Sequence, residues 1–173
     1  MNHLETKIYE QIYPTGLWIV RTFDYLTGAL VGEYKSKNLV TTIGKQLVAR
    51  FLGGKVVSDG KPGLDGIQYV EVGIGSPVTP GIGDTQLVTP LDRTSVAAST
   101  LSGTTVTISG FFGRQQANGV ITEGGLFGTG LVGATWKIAT STINTGLLFN
   151  HANLSITKTD QLTMTVQTII TVT

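Results

Sequence analysis

The sequence predicts an all-β fold, an antiparallel β-sandwich or jelly roll with one short α-helix and an N-terminal arm. Three observations predict it. The last stretch, residues 161–173, alternates: Leu162, Met164, Val166, Ile170 and Val172 fall on one parity, and Gln161, Thr163, Thr165, Gln167, Thr171 and Thr173 on the other. Successive strand side chains point to opposite faces, so this is a long strand with an apolar face and a Thr/Gln face. Thr168 and Ile169 break the alternation, which suggests that a partner covers part of the second face. Further strand-sized segments recur at short spacing between Gly-rich turns, and a single segment has helical periodicity.

Residues 2–13 are mildly amphipathic, with Leu4, Ile8 and Ile12 on one helical face, and end at Pro14. A helix this short is marginal alone, so residues 1–14 are expected to form an arm that orders against a neighbour, and residues 15–173 the β-sandwich domain. Residues 17–23, rich in aromatic and β-branched side chains, form a strand. Asp24 to Gly28 turn, and residues 29–35 return as its hairpin partner. Thr41 or Thr42 caps a helix whose apolar face is Ile43, Leu47, Val48 and Phe51, with Gly53 and Gly54 past its end. Residues 55–66 are a turn-rich loop and residues 67–74 a strand. Residues 75–84, with two prolines and three glycines, form an irregular loop. Residues 96–101 and 104–112 make a hairpin about Ser102-Gly103. Residues 120–123 form a short strand, after which Gly124-Gly125-Leu126-Phe127-Gly128 bends the chain. Residues 135–140 and 147–154 are the remaining strands.

Composition narrows the function. Charged residues are 13% of 173 and the formal net charge is +1, against roughly 25% charged in ordinary domains. No basic run exceeds Lys35-Ser36-Lys37, so no nucleic-acid partner is expected. There is no cysteine, which excludes disulfides, thiol catalysis and Cys-ligated zinc. The N-terminal residues lack the order of a signal peptide, and no run approaches the roughly 18 apolar residues that span a bilayer. Synthesis in a cytoplasm, with no membrane partner, is the expectation. A neutral surface rich in Thr, Ser and Gly favours association.

No catalytic, metal-ligating or cofactor-binding set emerges. The Gly73-Ile74-Gly75 and Gly81-Ile82-Gly83 pairs lack the third glycine and following helix of a dinucleotide site. His3 lies in the expected arm, His151 has no acid close in sequence, and Asp59 and Asp65 do not match a calcium loop. Glu123 is conspicuous among Val120, Ile121, Leu126 and Phe127, because a buried carboxylate must be paired or hydrogen-bonded. Arg93 and Arg114 are its candidate partners, and tying the following glycine bend is its expected role. Trp18, Trp136, Tyr25 and Tyr34 could form a sugar platform but read better as core and interface aromatics.

Lys37-Asn38-Leu39-Val40-Thr41-Thr42-Ile43-Gly44, Val70-Glu71-Val72-Gly73-Ile74-Gly75 with Asp84-Thr85-Gln86-Leu87, Val120 through Phe127, Leu147 through Ala152, and Ile156 through Thr163 occur in an order that resembles a family of tailed-bacteriophage virion proteins. His151 stands where that pattern has Arg, which weakens any Arg–Glu123 pairing carried over from it. The resemblance implies a non-enzymatic virion protein assembled in the bacterial host cytoplasm. Its expected form is a homo-oligomer, a trimer, that decorates or cements the capsid through contact with the major capsid protein or other virion proteins. A tail, baseplate or fibre-attachment component is the alternative, and a carbohydrate-binding module the third reading. Leu4, Ile8, Ile12, Trp18, Arg114, Glu123 and Phe127 are the expected structural and interface residues.

Overall fold

The computed structural model describes residues 14–52, 66–77, 79–132 and 135–172. The expected arm residues Leu4, Ile8 and Ile12, and the expected loop at 55–65, lie outside them. The strands are β1 (Pro14–Asp24), β2 (Leu30–Val40), β3 (Gly66–Ile74), β4 (Pro90–Ser102), β5 (Thr105–Phe112), β6 (Gly119–Val132), β7 (Thr135–Lys137), β8 (Leu147–Lys158) and β9 (Leu162–Val172), with helix α1 (Thr42–Leu52) between β2 and β3.

All pairings are antiparallel, in the order β3-β4-β5-β9-β1-β2-β8-β6, and β6 pairs back with β3. The expected sandwich or jelly roll is therefore corrected to a closed barrel of eight strands, with β7 added to the far end of β6. Closure removes sheet edges, except at one weak seam. β2 and β8 pair only from Asn38↔Ala152 to Val40↔Asn150.

The interior is filled by Trp18, Val20, Val70, Val72, Ile108, Phe112, Leu154, Met164 and Val166, all buried. On β9 the inward set is Met164, Val166, Thr168 and Ile170. The break in apolar alternation is thus a buried threonine on the core face, and the period of two holds throughout. Ile169 lies on the outer face, beside Leu17 in a groove.

The β1–β2 hairpin forms as the sequence indicates. Asp24 Oδ1 accepts from the N–H groups of Leu26 and Thr27 and from the Thr27 hydroxyl, and Gly28 takes the positive φ of 71° that the turn needs. Thr41 is the helix cap: its hydroxyl oxygen accepts the Gly44 N–H at 2.9 Å and its O–H is given to Leu148 O at 2.6 Å. That second bond fixes α1 against β8.

The expected bend at residues 124–128 is reduced to a register irregularity against β8 between Leu126 and Phe127, inside a strand, β6, that runs from Gly119 to Val132. Its glycines serve close packing instead. A Cβ on Gly124 would lie 2.6 Å from Trp18 Cζ3, and one on Gly125 2.5 Å from Leu148 Cδ1. The Cζ3 and Cη2 atoms of the Trp18 ring therefore approach bare backbone inside the barrel.

Candidate functional site

The chemistry-bearing side chains gather on the outer face of β3, β4, β6 and β8. On β3, Val70 and Val72 point into the barrel, so Tyr69, Glu71 and Gly73 take the other face. In an isolated barrel that face meets water. Here two connections cover it: residues 79–89 bring Leu87 onto Phe127, Leu148 and Tyr69, and residues 138–146 lie over Glu71 and Arg93.

The first polar cluster centres on Arg93, directly opposite Glu71 in the β3–β4 ladder. Arg93 Nε donates to Glu71 Oε2, and both side chains are fully buried. Arg93 Nη1 donates to Thr140 O at 2.8 Å, Thr145 O at 3.0 Å and Thr145 Oγ1 at 2.9 Å. Glu71 Oε2 also accepts the Asn144 N–H at 3.0 Å. The guanidinium lies 4.4 Å from the Phe127 ring centre and 5.3 Å from that of Tyr69, within cation–π range. Burial pushes the Glu71 carboxyl above its ordinary value and the Arg93 guanidinium below its own, while their mutual attraction opposes both shifts. The cluster fastens residues 140–145 to the barrel wall.

The second cluster is a three-residue chain. Asp84 Oδ2 lies 2.6 Å from His151 Nδ1, and His151 Nε2 lies 3.1 Å from Glu123 Oε2. Both ring nitrogens face carboxylate oxygens, which only accept, so the buried ring carries both protons and a positive charge. Burial pulls the His151 pKa down, but its bonds to Glu123 and Asp84 outweigh that and hold it above the ordinary value. For Glu123, burial pushes up, and the His151 bond with the Thr89 and Val88 N–H groups outweighs it, so the carboxyl stays below its usual range. Those backbone bonds are 2.7 Å from Thr89 to Oε1 and 3.1 Å from Val88 to Oε2. Asp84 Oδ2 in turn accepts the Gly81 N–H at 2.7 Å. Gly73, opposite Glu123 in the ladder, leaves room for the carboxylate: a Cβ there would sit 2.5 Å from Glu123 Oε1 and 2.6 Å from Thr89 O.

Glu123 is thus buried and paired, as a carboxylate among apolar neighbours must be, but to neither expected arginine. Arg93 is taken by Glu71. Arg114 sits elsewhere, 4.7 Å from the Tyr25 ring centre, donating to Asp160 O at 3.0 Å. His151 occupies the place, and the carboxylate holds residues 88–89 rather than a glycine bend. Trp18 is wholly inside the barrel, so it belongs to no platform or surface contact. Phe127 lies under the Arg93 guanidinium. The Glu71–Arg93 pair and the Asp84–His151 bond had no signal in the sequence beyond residue type, since partners 22 and 67 positions apart meet only through the ladder and the loop.

His151 has no nitrogen free to take a proton, and Glu71 and Glu123 are sealed from solvent; Asp84, with its side chain 31% exposed, is the acid of the two clusters that reaches solvent, and its Oδ2 is engaged by His151 and the Gly81 N–H. No group of three or more His, Asp or Glu among the described residues is arranged to hold a metal ion. A groove of about 730 Å³ opens elsewhere, between the ends of β1, β2 and β9, lined by Gly16, Leu17, Asn38, Ile169, Lys37 and Lys45 among others and by no carboxylate. No described helix is long and apolar enough to cross a membrane. No protein-family profile, curated protein or solved structure matches this chain.

Proposed function

We propose that the chain is a non-enzymatic structural subunit of a tailed-bacteriophage particle, an oligomer that decorates the capsid and stabilises the shell. One observation carries the non-catalytic part of this reading. Every buried acid of the two clusters is committed to a cation or to backbone N–H groups of the covering loops, and their chemistry is spent on fastening those loops. The virion part rests on the ordered motifs from Lys37 to Thr163. The assembly part is supported by the opposite half of the barrel. Over the outer face of β5, β9, β1 and β2 no described element packs, and that face presents Thr107, Ser109, Thr165, Gln167 and Ile169, with Phe111 exposed. The β5–β9 part of that face is uncharged and Thr-rich, while its β1–β2 part carries Arg21, Glu33, Lys35 and Lys37, and charge-poor surface is what the core of an interface favours. Three-fold closure is the expected assembly, since cyclic oligomers bury such faces.

The test is location and copy number. Electron microscopy of intact particles should show density for this chain on the shell, at hundreds of copies by quantitative gel. A few to tens of copies at the tail would replace decoration with a tail or baseplate role. Removal of residues 1–13 should weaken shell binding while leaving the thermal melt of the domain unchanged. Equal decoration by the truncated chain would remove the arm from the account.

A further inference from the structure

The weak seam of the barrel leaves one long strand half used. β2 is paired with β1 along its whole length, from Gly16↔Asn38 to Phe23↔Leu30. On its other side only Asn38, Leu39 and Val40 meet β8. Among the described residues, Leu30 to Lys37 have no strand on that side. Outward-pointing N–H and C=O groups on such an edge are a ready template for another strand. The edge holds no proline; its protections are the charges of Glu33, Lys35 and Lys37 and a bulge at Val31, next to the turn, and a second copy of the same edge can satisfy those charges. Leu30 and Val31 are 56% and 59% exposed.

We propose that this edge pairs antiparallel with β2 of a second copy, about a two-fold axis at Tyr34. The proposal rests on the reading that the chain assembles with itself, and it adds a two-fold contact to whatever ring the subunits form. Charge selects both the occupant and the register. Val31, Glu33, Lys35 and Lys37 are the exposed parity of β2, and Gly32, Tyr34, Ser36 and Asn38 the half-buried one. An axis at Tyr34 places Glu33 opposite Lys35 of the second copy, twice. It also lays Val31 against the aliphatic stem of the second copy's Lys37. An axis at Glu33 sets two carboxylates face to face; an axis at Lys35 pairs Glu33 with Lys37 twice but sets two ammonium groups face to face, so of the three only the Tyr34 axis makes opposite-charge pairs with no like charges directly opposed. Within its own chain Glu33 is held by Arg21 at 2.7 Å and Lys35 at 2.9 Å. The carboxylate is therefore already oriented at the edge, and the 56%-exposed Lys35 side chain can exchange its own Glu33 for that of the second copy.

The chain has no cysteine, so single cysteines report the register without background. Residues directly opposite in an antiparallel pair have Cα atoms about 4.5–5.5 Å apart, inside the range a disulfide bridges. Diagonal neighbours at about 7–8 Å fall outside it. In the full chain under mild oxidation, Tyr34→Cys should run as a covalent dimer that reduction abolishes. Val31→Cys and Lys37→Cys, both at solvent-facing positions, should cross-link with each other when mixed and not with themselves. Self-linking of Lys37→Cys, or of Val31→Cys, would overturn the register. A wild-type chain that assembles by sedimentation while no cysteine variant links would overturn the edge contact and leave self-assembly standing. A wild-type chain that stays monomeric at every concentration would overturn both.

Discussion

Replacing His151 with leucine tests whether the second cluster is ionic. The side chain is fully buried, its Glu123 partner is 1% exposed, and the leucine fills similar volume while removing the charge. Glu123 would keep the Val88 and Thr89 N–H groups but lose its cation. Breaking a buried pair on one side costs about 3–5 kcal/mol, a large part of the roughly 5–15 kcal/mol that holds a domain folded. With a urea slope of about 2 kcal/mol/M, the unfolding midpoint should fall by about 1.5–2.5 M. Replacing Glu123 with glutamine as well removes the buried one of the two stranded charges, Asp84 being 31% exposed to water, so the double variant should recover at least about half of the loss. Amide exchange at Val88 and Thr89 should quicken in the single variant more than at β9. A midpoint drop below about 0.5 M would mean that His151 is neutral and the ion-pair account is wrong.

The pH dependence follows from the same two groups. His151 has a folded pKa above its ordinary 6.5, so its stabilisation is complete below 6.5 and is lost as pH rises through the raised value. Glu123 has a folded pKa below its ordinary 4.5, so its contribution is complete above 4.5 and is lost as pH falls through the lowered value. Between about 4.5 and 6.5 both act in full. Wild-type stability from this cluster should therefore decline on the alkaline side of 6.5, and urea midpoints of His151→Leu should lack that decline. An unchanged alkaline limb in the variant would assign it to another group.

Arg93→Met strands Glu71 and should cost about 3–5 kcal/mol by urea unfolding, with proteolysis appearing first within residues 138–146; adding Glu71→Gln should restore much of it. Gly124→Ala forces a methyl into the Trp18 ring, which Leu154 backs at 3.0 Å from the same point. Such overpacking costs about 1–3 kcal/mol, or about 3–9 °C in a calorimetric melt. Gly83→Ala is the control: nothing lies within 4 Å of its would-be Cβ and its φ is not in the left-handed region, so its melt should match or slightly exceed the wild type.

Local rules were legible, and long-range ones were not. The β9 strand, the first hairpin and α1 could be read because each carries its own signal: a period of two, an Asp–Gly turn, a threonine cap. Barrel closure could not be read, because the β3–β6 pairing joins Gly66 to Thr129 and Val72 to Gly124, and nothing local distinguishes a strand that closes a barrel from one that ends a sandwich. Gly124-Gly125 misled for a related reason. Glycine pairs signal turns when judged from neighbours in sequence, but here they answer to Trp18 and Leu148, 106 and 23 positions away. Glu71 lies between Val70 and Val72 in an alternation that ordinarily places a carboxylate in water. The loops that bury it come from distant parts of the chain.

The placement of the two clusters bears on how the molecule can meet others. Burying Glu71, Arg93, Glu123 and His151 carries a desolvation cost that well-packed apolar residues would avoid. What the charges add is direction: each acid and cation is matched to particular N–H and C=O groups at residues 81, 88–89 and 140–145, so those loops can settle in one arrangement only. A loop pinned in one place over β3, β6 and β8 makes that half of the barrel a finished surface. The other half, β5-β9-β1-β2, has no such covering among the described residues, and it ends at the unpaired edge of β2. In the proposed assembly, a pinned covering on one side and, among the described residues, an open face with an unpaired edge on the other would give the subunit a defined orientation. That asymmetry, rather than the composition of either surface alone, is the physical argument for assembly through β2 and its neighbours.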